Sequence, residues 1–180
     1  MPNHVKCVLK FTGLEPEDVR LLLDSIATPS IMLDEPIETP THVIDFDKII
    51  PEPREKSECP EFAKRTATSH VQEDPDRPWF DWFKWRIKNW GTKWNAYDRY
   101  VKTGKSWIMF VFSTAWNMPE PVIEQLRLFG FNFELKYADE DWGSNCGIYS
   151  FDSKDNYTGH IHEHDMKNPR AFARNLWNKY

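Results

Sequence analysis

Trp107-Ile108-Met109-Phe110-Val111-Phe112 is an unbroken apolar run, and its reading decides the fold. Side chains of a strand alternate between two faces, so a strand that is apolar throughout must be covered on both. The run predicts a central strand with a layer on each side. Downstream, Pro119 and Pro121 open a helix carrying Val122, Ile123, Leu126 and Phe129, and Gly130 closes it. Phe131, Phe133, Leu135 and Tyr137 alternate with Asn132, Glu134 and Lys136; Ile148 to Phe151 is apolar again after a turn at Asp141 to Ser144. These two segments predict a hairpin. Upstream, Val5, Cys7, Leu9 and Phe11 alternate with Lys6 and Lys10, the period of a strand over residues 4 to 12. Pro16, Glu17 and Asp18 then start a helix whose Val19, Leu22, Leu23 and Ile26 form one stripe.

Between the two halves the chain changes character. Residues 28 to 76 are rich in proline, which argues against long regular elements, with one short strand from His42 to Phe46. Trp79, Trp82, Trp85, Trp90 and Trp94 follow, five of the nine tryptophans. Trp79, Trp82, Phe83 and Arg86 share a helical stripe, so a helix is predicted from Trp79 to Trp90, ended by Gly91. At the C-terminus Asn168 caps and Pro169 begins a helix whose apolar stripe is Phe172, Ala173, Leu176 and Trp177. The succession predicts an α+β fold: a ferredoxin-like βαββαβ sandwich with a long Trp-rich insertion and an extra C-terminal helix. One domain over residues 1–151 includes the insertion 47–98, and residues 152–180 form an extension whose helix packs on the same domain. Two helices would cover one sheet face. Either the insertion or the C-terminal helix must close the other.

Composition narrows the function. The chain has 180 residues, 40% of them apolar, and a net charge of -5 from 23 basic and 28 acidic side chains. That balance is too mild to drive binding to DNA by charge alone. Cys7, Cys59 and Cys146 are widely spaced and form no Cys-x-x-Cys pair, which fits reduced thiols in a cytoplasm rather than a disulfide framework or zinc knuckle. No export leader and no membrane span are read from the sequence. No P-loop, dinucleotide-binding turn or nucleophile elbow occurs, so neither a cofactor nor a catalytic residue is assigned.

Four segments carry a resemblance: Phe46-Asp47-Lys48-Ile49-Ile50-Pro51, Asn89-Trp90-Gly91-Thr92-Lys93-Trp94-Asn95-Ala96-Tyr97-Asp98, Ser113-Thr114-Ala115-Trp116 and Tyr137-Ala138-Asp139-Glu140-Asp141. With Pro2-Asn3-His4-Val5 and Phe11-Thr12-Gly13, they resemble the YubB family of plasmid and bacteriophage proteins over roughly residues 3 to 151. The resemblance implies a ferredoxin-like fold and an accessory gene of a mobile element, and it supplies no chemistry. Proteins of that setting often bind host machinery, including defence complexes such as CRISPR or restriction systems.

The candidate partner-binding residues are Lys93, Trp94, Asn95, Tyr97 and Asp98, where hydrogen-bonding groups sit beside indoles, and Arg170, Arg174 and Trp177 on the C-terminal helix. Each group has a plainer reading. The first can be a turn in which Gly91 supplies the backbone angles and the indoles pin the insertion; the second can be charge complementing a helix dipole. His160, His162 and His164 alternate and would project to one side of an extended segment, a metal-like spacing, but a polar segment near the terminus reads first as a solvated loop, so no metal is assigned. Asp139, Glu140 and Asp141 lack the spacing of a calcium loop. The expected function is a non-enzymatic accessory protein binding a host protein or ribonucleoprotein complex. Alternatives are a single-stranded nucleic-acid module stacking bases on Trp90, Trp94 or Tyr97 beside Lys88, Lys93, Arg99 and Lys102, and a hydrolase using the histidines to hold a metal.

Overall fold

A computed structural model describes residues 3–30, 41–62 and 74–180 of the chain. Strand β1 (His4–Thr12) lies at the middle of a six-stranded antiparallel sheet, between β5 (Trp107–Ala115) and β6 (Phe133–Asp139). Leu9 faces Phe110 on one side and Leu135 on the other. Outside β5 runs β4 (Tyr97–Gly104); outside β6 follow β7 (Cys146–Asp152) and β8 (Tyr157–His162), giving the order β4-β5-β1-β6-β7-β8. The first four of these, with helices α1 (Pro16–Ile26) and α4 (Glu120–Leu126), are the βαββαβ unit of a ferredoxin-like domain. Strands β7 and β8 extend its sheet.

Helix boundaries follow local chemistry. Pro16 occupies the first turn of α1, and Glu15 and Asp18 satisfy each other's backbone N–H groups. Helix α5 (Pro169–Lys179) is capped by the Asn168 side chain, which accepts from the Ala171 N–H. After α4 one tighter turn, Arg127–Phe129, ends at Gly130 with a φ of 71°.

The doubly covered central strand is explained by two cores. On one face Cys7, Leu9, Phe11, Phe110 and Phe112 pack with Leu22 and Ile26 of α1 and with Val122, Ile123 and Leu126 of α4. On the other, Val8, Met109, Val111, Ala138 and Cys146 pack with Ala173 and Leu176 of α5. The C-terminal helix therefore closes the second face. The Trp-rich insertion lies with the first.

Two sequence expectations are corrected. The strand expected at His42 to Phe46 is β3 (Thr41–Ile44), which pairs with β2 (Ala27–Ser30) in a separate two-stranded sheet, and α2 (Phe46–Ile49) follows it. The strand that completes the first βαβ crossover is instead β4, a mostly polar edge strand whose register shifts between Tyr97 and Tyr100, with Asp98 at a φ of 46°. The helix expected from Trp79 is α3 (Trp82–Asn89), because the Asp81 carboxylate caps at Lys84 N–H and the preceding residues turn at Phe80. Its buried side chain is Trp85, not the Trp79, Trp82, Phe83, Arg86 stripe.

Trp85 and Trp90 are 5% and 1% exposed and meet edge to face, their ring centroids 5.5 Å apart. Trp90 also packs against Phe46 and donates its indole N–H to the Ile50 carbonyl at 2.9 Å. An ionic knot clamps the same layer: the buried Glu52 carboxylate accepts from Arg77 at 2.6 Å and from Arg86 at 2.5 Å. Arg77 lies over Phe80, and Arg86 lies over Trp82 and Trp90.

Candidate partner-binding surface

At one end of the sheet β5 and β6 finish while β1 and β7 begin, and three connections meet there: residues 90–96, 116–119 and 140–145. The first is held rigidly. Gly91 has a φ of 75°, and a Cβ there would stand 2.8 Å from Pro121 Cδ, so only glycine fits. The Thr92 hydroxyl donates to the Ala115 carbonyl at 2.8 Å and accepts from its N–H at 3.0 Å. Asn95 accepts from the N–H groups of Phe46 and Ala96 and donates to Asp45 Oδ1 at 2.7 Å. These bonds hold Lys93 and Trp94, both half-buried, on a fixed frame.

Lys93 Nζ lies 5.0 Å from the ring centroid of Trp94 and 5.6 Å from that of Trp116. Trp116 is 37% exposed, meets Phe83 edge to face at 6.1 Å, and holds a φ of 74°. Trp142, in the β6–β7 hairpin, is 41% exposed with a φ of 40°. The left-handed region is costly for a side chain of this bulk, on the order of 1–3 kcal/mol per residue, and persists only where surroundings enforce it. They do so here. Trp116 N–H donates to the Asn3 carbonyl at 2.9 Å, and its own carbonyl accepts from Asn145 Nδ2 at 2.7 Å. Asn3 Nδ2 donates to Asp141 and His4 N–H to Glu140, each at 3.0 Å, tying the hairpin to β1. Two exposed indoles in strained backbone thus share one braced end of the domain.

The residues singled out from sequence divide accordingly. Lys93 and Trp94 belong to this end. Arg174 places its guanidinium 5.9 Å from the Trp142 ring, and Arg170 lies against Gly143, whose absent Cβ would sit 2.5 Å from Arg170 Cγ. Asn95 is committed internally. The Tyr97 hydroxyl lies 2.6 Å from His4 Nδ1 and donates to the Thr114 carbonyl at 3.0 Å; burial chiefly, and then the Asp98 and Glu140 carboxylates, push its pKa up to about 12. Asp98 is exposed. Trp177 is half-buried in the α5 layer and donates its indole N–H to the carbonyls of Ala138 and Asp139, with the Lys6 ammonium over its ring. Of the remaining cations considered for nucleic acid, Arg99 donates to the Ile44 carbonyl, and Lys88 and Lys102 lie over Phe62 and Tyr100. Trp90 is core and offers no face for stacking.

His160, His162 and His164 do form a ladder, with ring centroids 3.8 Å and 5.3 Å apart. His160 Nε2 is 2.9 Å from the Tyr137 hydroxyl, and burial, then the neighbouring His162, lower its pKa. His160, His162, Tyr137, Asn117 and Glu120 line a cleft of about 410 Å³. Among the described residues no group of three His, Cys, Asp or Glu side chains is arranged to hold a metal ion. Asp139 is buried and accepts from Asp141 N–H, so the acidic trio shapes the hairpin. The three cysteines are buried and free.

Sequence reasoning missed Trp116 and Trp142. The signal available was a tryptophan followed by Asn117 or Gly143, a large aromatic placed in a turn rather than in any periodic element.

The chain carries a ferredoxin-like domain. Residues 89–177, from the end of α3 into α5, match a family described as the ferredoxin-like domain in Api92-like protein. No curated protein and no solved structure matches the chain. The matched span contains Lys93, Trp94, Trp116, Trp142, Arg170 and Arg174, whereas β1 and α1, which complete the fold, lie before it.

Proposed function

We propose that this is a non-enzymatic accessory protein of a mobile genetic element, acting in the cytoplasm of a bacterial host by binding a host protein or ribonucleoprotein complex. Inhibition of a defence complex, of the CRISPR or restriction kind, is the specific form. The observation that carries the binding reading is the pair of exposed tryptophans, Trp116 and Trp142, each held in left-handed backbone beside a cation. Tryptophan and arginine are the usual anchors of protein interfaces, and strain retained at an exposed position implies a use for the geometry. The mobile-element setting rests on the resemblance to the YubB family.

A protein partner is favoured over nucleic acid by the carboxylates at the same end. Glu140 and Asp141 adjoin Trp142 in sequence and Asp98 is exposed nearby, so that with Lys93, Arg170 and Arg174 this end carries charge of both signs, which suits a protein surface better than a uniformly anionic phosphate backbone. The test compares the wild-type chain with a Trp116→Ala, Trp142→Ala double variant as baits in host lysate. The reading predicts one stoichiometric host partner for the wild type, bound again after purification, and at least tenfold weaker binding by the folded variant. Equal capture by both would refute the surface. Salt-dependent binding of oligonucleotides without a protein partner would favour the nucleic-acid alternative.

A further inference from the structure

We infer that Trp94 and Trp116 form a binding site for an alkylammonium group, in which Lys93 of the chain itself is a placeholder. The inference rests on the reading of this end as a binding surface and names the chemistry that it takes. The Lys93 ammonium stands 5.0 Å and 5.6 Å from the two indole centroids, within the range at which a cation is drawn to the negative face of an aromatic ring. Among the described residues no carboxylate forms an ion pair with Lys93. The indoles are therefore its defined partners.

Three further features suit a cation. The walls are fixed independently of Lys93: Trp94 is met edge-on by Tyr97 at 5.9 Å, Trp116 by Phe83 at 6.1 Å, and the Trp116 backbone is bonded through Asn3 and Asn145. Negative charge stands close by, since the Asp98 and Glu140 carboxylates both act on the hydroxyl of Tyr97, whose ring borders Trp94. The resident is also poorly matched. A primary ammonium is strongly hydrated, so it gives up much on entering an aromatic site, whereas a methylated ammonium is held less tightly by water and favours such surroundings. An incoming alkylammonium can displace Lys93 into solvent without breaking an ion pair. The corresponding element of a partner is a lysine side chain, preferentially a methylated one, projecting from its surface.

Tetramethylammonium chloride, titrated into the full chain against sodium chloride at equal ionic strength, tests this without any partner. The readout is the indole N–H signals of Trp94 and Trp116 in nuclear magnetic resonance spectra. Saturable shifts confined to those two indoles are expected, and Lys93→Ala should bind about two- to fivefold more tightly because the competing cation–π contacts are gone. Trp116→Ala and Trp94→Leu, each with an otherwise native spectrum, should lose the saturable response. The inference is overturned by non-saturating shifts in Lys93→Ala, or by undiminished binding in either indole variant. Capture of a host partner that ignores Lys93→Ala, together with a positive titration here, would separate this site from the wider binding surface.

Discussion

Replacing Glu52 with glutamine tests the ionic knot that clamps the insertion. Glu52 is 5% exposed and receives both Arg77 and Arg86, whose side chains are 15% and 23% exposed. Glutamine keeps the shape and one acceptor, but it removes the charge and turns an amide N–H₂ toward guanidinium donors. Loss of one partner of a buried ion pair typically costs about 3–5 kcal/mol, because the remaining charge is left uncompensated. Two circumstances move this case toward the lower end. The arginines retain some water, and Arg77 keeps Asp74 at 2.8 Å. A loss of about 3 kcal/mol is therefore expected, which at a urea dependence of roughly 2 kcal/mol/M lowers the unfolding midpoint by about 1.5 M. Trp85 and Trp90 lie in the adjoining core and report the transition by fluorescence. A midpoint shift below about 0.5 M would refute the reasoning, since it would mean the knot contributes no more than an exposed pair.

The remaining expectations follow from burial and backbone geometry. Trp90→Ala should cost about 3–5 kcal/mol, whereas Trp116→Gly should change stability by less than about 1 kcal/mol because relief of left-handed strain offsets lost packing; parallel urea titrations distinguish the two. Burial pushes the Cys7 thiol up to about 12 and raises Cys59 and Cys146, so alkylation at pH 8 should be slow in the native chain and should reach all three thiols only on unfolding. His160 has a folded pKa below its ordinary value of 6.5, so the unfolded chain takes up its proton first and stability should fall as pH drops through about 6.5. His160→Gln should flatten that dependence; a urea midpoint just as sensitive to pH in the variant would contradict it.

The parts of this fold that sequence revealed are those in which one face of an element meets a core. Alternation over β1, the unbroken run of β5 and the proline and glycine signals around α4 and α5 each reflect burial that one segment records by itself. Strand β4 was hidden because it is an edge with a bulge, and its Tyr-Asp-Arg-Tyr start carries no period. Trp82 and Phe83 misled the helix reading, since their aromatic bulk at helical spacing lies on a half-buried flank while Trp85 alone is buried from α3.

The candidate surface was legible only in part for a related reason. Lys93 and Trp94 stood out by local density of aromatic and polar groups, and Arg170 and Arg174 by their helix. Trp116 and Trp142 come from separate turns that the sheet brings to one end, and the positive φ that sets them apart belongs to the folded backbone. Conversely Asn95, Tyr97 and Trp177 looked available because their partners are distant in sequence: Asp45, His4 and Thr114, and Ala138 and Asp139.

Hydroxyl-radical footprinting of the chain, free and in complex with its captured host partner, tests the central claim most directly. Protection should concentrate on Trp94, Trp116 and Trp142, with the outer face of α5 protected only near Arg170 and Arg174. Full reactivity of those three indoles in a stable complex, with protection elsewhere on the sheet edge or helices, would contradict the account.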